Sequence, residues 1–317
     1  MTARELLRRS GPLLGLGGVF LFFFILVWWH TGRNNFATPG NLQTIALQTA
    51  IVGMTALGMT LIILSGGIDL SVGAMVALTS CVAAILLKHA GWPAVPSAMG
   101  ALLAGGICGL ANGLLVTRLK VVPFIVTLGM SLILRGTAEG MARNKTINPD
   151  PGGLDALLPP GATFPPGVWI VAILAIAVSL LLRYTRFGRH VIAIGSNEAA
   201  ARLCGVPIVR TKTQVYVLGG LFTGMAGLLQ YSRLSMGDPT AAPGLELDVI
   251  AAVVIGGASL SGGEASVVGS LVGALIMTSI RSGCSLMGWE NYITKIVAGA
   301  IIIAAVALDR WRHRKVT

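Results

Sequence analysis

Charged residues are scarce in this chain of 317 residues: they make up 11% of it, whereas an ordinary soluble domain has about 25%. Cysteine is also scarce, and the four cysteines (Cys81, Cys108, Cys204 and Cys284) form no CxxC pair, which excludes a disulfide-stabilised secreted scaffold. Intrinsic disorder is excluded because 54% of the residues are hydrophobic. A polytopic membrane protein is the class that remains.

The motifs of an enzyme or an ATPase are also absent. The sequence has no HExxH, and its four histidines are dispersed, so no metal site is expected. No lysine follows a glycine, which rules out the phosphate-binding loop GxxxxGK[ST]. We expect no catalytic residue and no cofactor in this chain. If ATP drives its action, ATP and Mg²⁺ must bind to another subunit.

Apolar runs are abundant, and a membrane-spanning helix needs about 20 mostly apolar residues. Ten spans are predicted, at residues 11–30, 43–64, 70–88, 93–116, 121–139, 167–183, 214–232, 247–261, 265–286 and 291–308. No hydrophilic segment is large enough to fold alone. We therefore predict an all-α protein with one transmembrane domain over residues 1–317, including a cytoplasmic segment at about 184–213.

The net charge of +11 is distributed over short segments between the apolar runs. With the N-terminus in the cytoplasm, cytoplasmic segments contain 15 of the 23 basic residues: Arg4, Arg8, Arg9, Arg118, Lys120, Arg183, Arg186, Arg189, Arg202, Arg210, Lys212, Arg310, Arg312, Arg314 and Lys315. By the positive-inside rule both termini are cytoplasmic, which requires an even number of spans. No continuous basic surface is apparent, so we expect no nucleic-acid partner.

A weak internal repeat is present. Ser65-Gly66-Gly67 followed by Val72-Gly73 recurs as Ser261-Gly262-Gly263 followed by Val268-Gly269, a constant offset of 196 residues (261 minus 65). The repeat suggests two related halves, as in many transporters. Chance similarity between glycine-rich segments is the alternative. Gly262 and Gly263 are predicted hinge or structural residues.

An ion-coupled secondary transporter would require ionisable residues inside its spans, facing the interior of the bundle. Arg135 and Glu139 lie four residues apart, and we expect them to pair. Asp69 and Asp248 then remain as plausible intramembrane acids. We expect Asp69 to cap or hinge the third predicted helix rather than to contact substrate, and we predict a structural role for Asp248.

Three residues are candidates for the translocation path because they offer a polar group or an aromatic ring near glycine-rich helices: Asn112, Phe124 and Thr127. Asn112 lies beside the small residues Ala101, Gly105, Gly109 and Gly113, which form a stripe suited to close helix packing. An interhelical hydrogen bond is the alternative role for Asn112.

The segment 195–206 predicts a short helix on the cytoplasmic side. Ser196 or Asn197 can cap this helix, and Glu198 suits its positively polarised first turn. Gly205 and Pro207 end it. Such a helix fits a groove on another protein, and a surface helix without a partner is the alternative.

Several motifs, in order, resemble the permease subunits of ribose/galactose/xylose-type ABC importers. They are Gly66–Gly73 (GGIDLSVG), Asn112-Gly113, Pro123–Gly129 (PFIVTLG), Glu246–Gly257 (ELDVIAAVVIGG), Ser261–Gly263 and the Asn-Glu-Ala-Ala segment at 197–200. The resemblance extends from about residue 40 to 308. One departure is that four residues separate Glu-Ala-Ala from Gly205, one more than the usual importer spacing of a coupling helix.

The resemblance implies a permease dimer of the bacterial inner membrane, homomeric or heteromeric, served by separate ATPase subunits and an extracytoplasmic sugar-binding protein. It further implies that the ATPase docks on Asn197, Glu198, Ala199, Ala200 and Gly205. The alternatives are an ion-coupled secondary transporter of a small neutral solute and an ABC permease for branched-chain amino acids. An intramembrane enzyme is a third, less favoured alternative.

Overall fold

The computed structural model describes residues 3–150, 152–159, 161–162, 164–290, 292–297, 299–301 and 303. Its α-helices are α1 (Ala3–Thr31), α2 (Pro39–Leu64), α3 (Val72–Lys88), α4 (Ala94–Leu119), α5 (Pro123–Ala142), α6 (Pro166–Tyr184), α7 (Arg186–Ser196), α8 (Glu198–Leu203), α9 (Ile208–Leu234), α10 (Leu245–Ile255) and α11 (Val267–Leu286). Within these residues, the chain is helical apart from turns, loops and one isolated bridge between Ile147 and Gly237.

In the described part of the chain, six helices are long and apolar enough to cross a membrane: α1 over residues 11–31, α2, α4, α5, α6 and α11. An all-helical polytopic membrane protein is therefore the observed class, while the predicted number of ten spans is not confirmed. Helix α3 has 17 residues, and α9 is long but includes charged residues such as Arg210 and Lys212.

The predicted span 247–261 is wrong in length. Helix α10 has only 11 residues, or about 16 Å, which is half of a bilayer core of about 30 Å. It ends before Gly257, whose φ of +97° is left-handed. Of the predicted span 291–308, residues 292–297, 299–301 and 303 are helical, and the rest lies outside the described residues.

Helix α9 lies at the centre of the bundle and packs against α2, α3 and α4. The small-residue stripe of α4 faces it: Gly109 lies on the backbone of Tyr216 and Gly220, so closely that a Cβ at Gly109 would overlap the Tyr216 carbonyl. Gly105 meets Gly220 and Gly224 in the same way. Backbones approach this closely only where side chains are missing.

The bundle exterior is largely apolar. Large exposed hydrophobic side chains occur along helices α1, α4, α5 and α6, including Leu21, Trp28, Leu103, Ile107, Leu132, Ile133, Ile173 and Ile176. Exposed apolar area on this scale is a liability in water and is expected where lipid is the solvent. The core, in contrast, is centred on α2, from Met54 to Leu64.

Candidate functional site

Helix α8 is the short helix that the segment 195–206 predicts. The side chain of Asn197 accepts a hydrogen bond from the Ala200 N–H at 2.9 Å and so caps the helix. Gly205, with φ of +78°, ends it, and its N–H donates to the Arg202 carbonyl at 3.0 Å. Helix α8 follows α7 directly, since Asn197 ends one and begins the other.

Glu198 forms ion pairs at the start of α8. Its carboxylate accepts a hydrogen bond from Lys212 Nζ at 2.6 Å and one from Arg202 Nη2 at 3.2 Å. The Lys212 hydrogen bond holds the pKa of Glu198 below its usual range, so the carboxylate stays ionised at neutral pH. The Glu198 side chain is still 41% exposed, and Leu203 at the other end of α8 is 90% exposed. Both are available to another protein.

A groove of about 1010 Å³ lies beside α8. Its lining includes five basic residues and one acidic residue, Glu198; the basic ones are Arg118, Lys120, Arg202, Arg210 and Lys212. All five belong to segments that the charge distribution assigns to the cytoplasmic side. The fold therefore gathers them at one end of the bundle, at the end of α4 and just after it, in α8 and at the start of α9.

The two copies of the internal repeat meet next to α7. The Gly263 N–H donates to the Leu64 carbonyl at 3.0 Å, which joins the end of α2 to the loop between α10 and α11. Gly195, in the last turn of α7, lies on both groups so closely that a Cβ would overlap the Leu64 carbonyl. Gly262, whose φ is +87°, lies against Gly195 and Gly66. The α7–α8 segment thus contacts both repeat copies through backbone atoms.

A buried polar cluster follows the first repeat copy. Asp69 accepts hydrogen bonds from the Ser71 N–H at 2.8 Å and the Ser71 hydroxyl at 2.6 Å, just before α3 begins. From α4, Asn112 Nδ2 donates to Asp69 at 3.1 Å and to Ser71 Oγ at 2.8 Å. From α5, Thr127 Oγ1 accepts the Leu70 N–H at 3.0 Å. Three helices are therefore tied to the loop 65–71.

The predicted path residues lie in different environments. Asn112 and Thr127 are completely buried in this conformation, whereas Phe124 is 49% exposed. The Asn112 Oδ1 atom is buried without a hydrogen-bond partner. The structure thus brings Asn112 and Thr127 together around the loop 65–71 and leaves the Phe124 ring outside that cluster.

Two further charged groups lie away from α8. Asp248 of α10 forms an ion pair with Arg281 of α11. Arg135 donates to the carbonyls of Pro239 and Ala241, both at 2.8 Å, instead of forming the ion pair with Glu139 that the spacing predicts. A guanidinium has several donors in a fixed plane, so it can serve two carbonyls of an irregular segment at once.

Within the described residues, no three His, Cys, Asp or Glu side chains cluster as metal ligands would.

Comparison with known proteins identifies the family. The profile of a family described as "Branched-chain amino acid transport system / permease component" matches residues 41–306. The chain belongs to this permease family. No solved structure matches the permease significantly.

The curated relatives of the permease are named for sugars. It is 43% identical to the ribose import permease protein of Escherichia coli (strain K12) over 249 residues, which is 77% of each protein. It is 37% identical to the L-arabinose ABC transporter permease protein of Azospirillum brasilense, over 98% of this chain and 90% of that protein. Identity to the xylose transport system permease protein of Escherichia coli (strain K12) is 33%, over 86% and 87%. These relatives are transport components rather than enzymes.

Sequence reasoning missed two residues of the permease that the structure places at these sites. Arg281 lies within the predicted span 265–286, so an ionisable residue in an apolar run was the available signal. Ser71 joins Asp69 to Asn112, and its position in the motif Gly66–Gly73, two residues after Asp69, was the available signal.

Proposed function

We propose that this permease is the membrane subunit of an ATP-driven importer that moves a monosaccharide across the cytoplasmic membrane of a bacterium. The observation that carries the proposal is the set of relatives named for the import of ribose, arabinose and xylose, at 33–43% identity and over most of the chain. Residues 1–317 would form one transmembrane domain, with both termini in the cytoplasm.

An ATPase subunit is the partner proposed for α8, and it would carry ATP and Mg²⁺. Asn197, Glu198, Ala199, Ala200 and Gly205 would form the docking segment, because α8 is capped at both ends and exposes Leu203. The basic groove beside it suits an acidic surface on that ATPase. Movement of α8 would then be passed on through α7.

An extracytoplasmic sugar-binding protein and a second permease subunit complete the proposed assembly. A path that binds its cargo weakly suits this arrangement, because a cargo that binds tightly inside a pore cannot leave it. Specificity can then belong largely to the binding protein.

Asn112, Phe124 and Thr127 are proposed to contact the translocation path during the cycle. Asn112 and Thr127 hold the loop 65–71, so they would be uncovered when that loop moves. Asp69, Asp248, Gly262 and Gly263 are proposed as hinge or structural residues, each at a junction between helices.

The substitution Glu198→Arg tests the docking segment. An arginine there faces Lys212 and Arg202, so the first turn of α8 becomes strongly positive and the ATPase should no longer bind. We expect the wild-type protein, purified from its native membrane in mild detergent, to retain a stoichiometric ATPase that is lost in the variant, together with sugar uptake.

The matched control is Asp150→Arg, which changes the charge by the same amount in an exposed loop far along the chain from α8. It should insert, bind the ATPase and transport normally. Normal uptake by Glu198→Arg would refute the docking assignment. A wild-type permease that is purified alone and works in vesicles without ATP would instead favour the ion-coupled alternative, with Asp69 and Asp248 as the residues to test.

A further inference from the structure

Helix α10 begins inside the bundle rather than at its edge. The irregular segment 235–244 precedes it and runs beside α3: Gly237 lies on Cys81 and Ala84, and the Ala242 carbonyl lies on Gly73. Because α3 ends at Lys88, the Gly73 level is about 22 Å along the helix axis from that end, well within a bilayer core of about 30 Å. The chain therefore reaches membrane depth in a non-helical conformation before α10 starts.

A non-helical segment at that depth needs partners for its backbone groups, since lipid offers none. Arg135 supplies two of them, because its Nη1 donates to the carbonyls of Pro239 and Ala241 at 2.8 Å each. The bridge between Ile147 and Gly237, with N–O distances of 2.8 and 2.9 Å, satisfies two more groups. Irregular backbone within a membrane is found where it is enclosed by protein or lines a water-filled cavity.

Two acidic and two basic side chains gather where α10 starts. The Glu246 carboxylate lies against Gly73 in the first turn of α3, and the charges of Arg135 and Arg281 both act on it. Asp248, almost fully buried, is paired with Arg281, which lies about 21 Å from the first residue of α11 and about 8 Å from its last. The group is electrically balanced and lies away from either end of the apolar helix α11.

Part of this charged group is open. The Arg281 side chain is 43% exposed, Glu246 is partly exposed, and Thr240 in the preceding segment is exposed. A charge that faces lipid at such depth is strongly unfavourable, so ionisable side chains in spans face water-filled cavities or other protein. The apolar exterior of α1, α4, α5 and α6 provides the lipid-facing surface instead.

We infer that Glu246 and Arg281, supported by Arg135 and Asp248, line the translocation path and hydrogen-bond the hydroxyl groups of the passing sugar. Carboxylates accept and guanidinium groups donate, which matches hydroxyls that do both. Because the two acidic and two basic side chains balance, the group has no net charge that would attract a free ion. This inference rests on the proposed function, since it supplies the contact surface for a neutral, polyhydroxylated cargo.

Thiol labelling tests whether water reaches the side chains at positions 240 and 281, independently of transport. In a Cys204→Ser background only buried cysteines remain, namely Cys81, Cys108 and Cys284. A membrane-impermeant methanethiosulfonate reagent should label Arg281→Cys and Thr240→Cys. It should not label the control Leu132→Cys, midway along α5 and 73% exposed on the apolar exterior. If the Arg281→Cys variant does not reach the membrane, labelling of Thr240→Cys alone tests whether water reaches these side chains.

Uptake kinetics test the sugar contact. Labelled D-ribose, L-arabinose, D-fructose and D-xylose are the probes, in cells that contain the permease with its native ATPase and binding protein. Glu246→Gln should raise the half-saturating concentration of the transported sugar roughly tenfold, as expected for the loss of one charged hydrogen bond. The control Asp150→Asn, in an exposed loop, should leave it unchanged.

The two proposals fail in different ways. Labelling at neither cysteine, or an unchanged half-saturating concentration in Glu246→Gln, would overturn the path assignment while ATP-driven uptake by the wild type leaves the proposed function intact. Absence of ATP-driven uptake of all four sugars by the wild type would overturn the proposed function.

Discussion

At the scale of single residues, the Asp69 cluster has an unused acceptor. Asn112 Nδ2 donates to both Asp69 and Ser71, whereas Asn112 Oδ1 is buried without a partner. Leaving a buried polar atom unsatisfied costs about 1–3 kcal/mol. A substitution at Asp69 that supplies a hydrogen-bond donor to Asn112 Oδ1 can therefore offset part of the stability that the substitution removes.

Asp69→Asn should be tolerated better than Asp69→Ala, because its amide oxygen can keep both Ser71 hydrogen bonds. Its N–H₂ can donate to Asn112 Oδ1 after the Asn112 amide rotates, although that rotation breaks the hydrogen bond from Asn112 Nδ2 to Ser71. Asp69→Ala removes three hydrogen bonds and should lower the free energy of unfolding by about 2–4 kcal/mol. Thermal unfolding of the purified permease in detergent, combined with uptake at matched expression, measures both effects.

The comparison between the two variants separates structure from ion coupling. If Asp69→Asn folds as well as the wild type but loses uptake completely, then the negative charge of Asp69 is itself required. That outcome contradicts the hinge role and favours the ion-coupled alternative.

At the scale of elements, the contact between α7 and the two repeat copies joins the α7–α8 segment to the end of α2. Gly195 has no room for a side chain, since its neighbours are the Leu64 carbonyl and the Gly263 N–H. Close packing of backbone on backbone makes such a junction stiff. Movement of α8 would therefore displace the point where α2 and the α10–α11 loop are hydrogen-bonded.

Gly195→Ala should separate α7 from this junction and break the hydrogen bond from Gly263 to Leu64, since overpacking of this kind costs about 1–3 kcal/mol. We expect sugar uptake to fall about tenfold or more, in keeping with that energy, while the ATPase still co-purifies because the α8 surface is unchanged. Gly129→Ala is the matched control: it adds the same methyl group to α5, where nothing lies within 4 Å.

Equal uptake by the Gly195→Ala and Gly129→Ala variants would show that the junction does not transmit motion. Loss of both uptake and the ATPase from Gly195→Ala would show instead that Gly195 shapes the docking surface.

At the scale of the whole molecule, the basic groove beside α8 fixes which end should face the cytoplasm. Five basic residues converge there from separate segments of the chain, in agreement with the positive-inside distribution. The loop 143–165, between α5 and α6, should lie on the opposite side, because one helix of spanning length, α6, connects it to α7.

Topology reporters test this orientation. Alkaline phosphatase, which is active only outside the cytoplasm, should be active when fused after Asp150 and inactive when fused after Arg189 or Lys212. A fluorescent protein that matures only in the cytoplasm should give the reverse pattern. Active phosphatase at Arg189 would invert the topology and remove α8 from the reach of any cytoplasmic ATPase.

The sequence by itself determined the class and the local signals. Low charge and long apolar runs indicated a helical membrane protein, because about 20 apolar residues cross a bilayer whatever surrounds them. The Asn197 cap and the Gly205 stop are equally local, since each depends on residues within one turn of α8. The resemblance to sugar permeases was also present in the order of the motifs, and the relatives bear it out.

Only the tertiary structure decided how distant residues combine. The predicted span 247–261 is apolar except for Asp248 and two serines, so composition could not reveal that α10 stops at half the length of a span and that the segment before it descends beside α3. Arg135 was expected to pair within its own helix, yet it serves carbonyls about 105 residues away, because an unsatisfied backbone in lipid is costlier than a broken i,i+4 pair. Local rules determine caps such as those of α8, but the placement of buried charge depends on which polar groups the fold leaves without water.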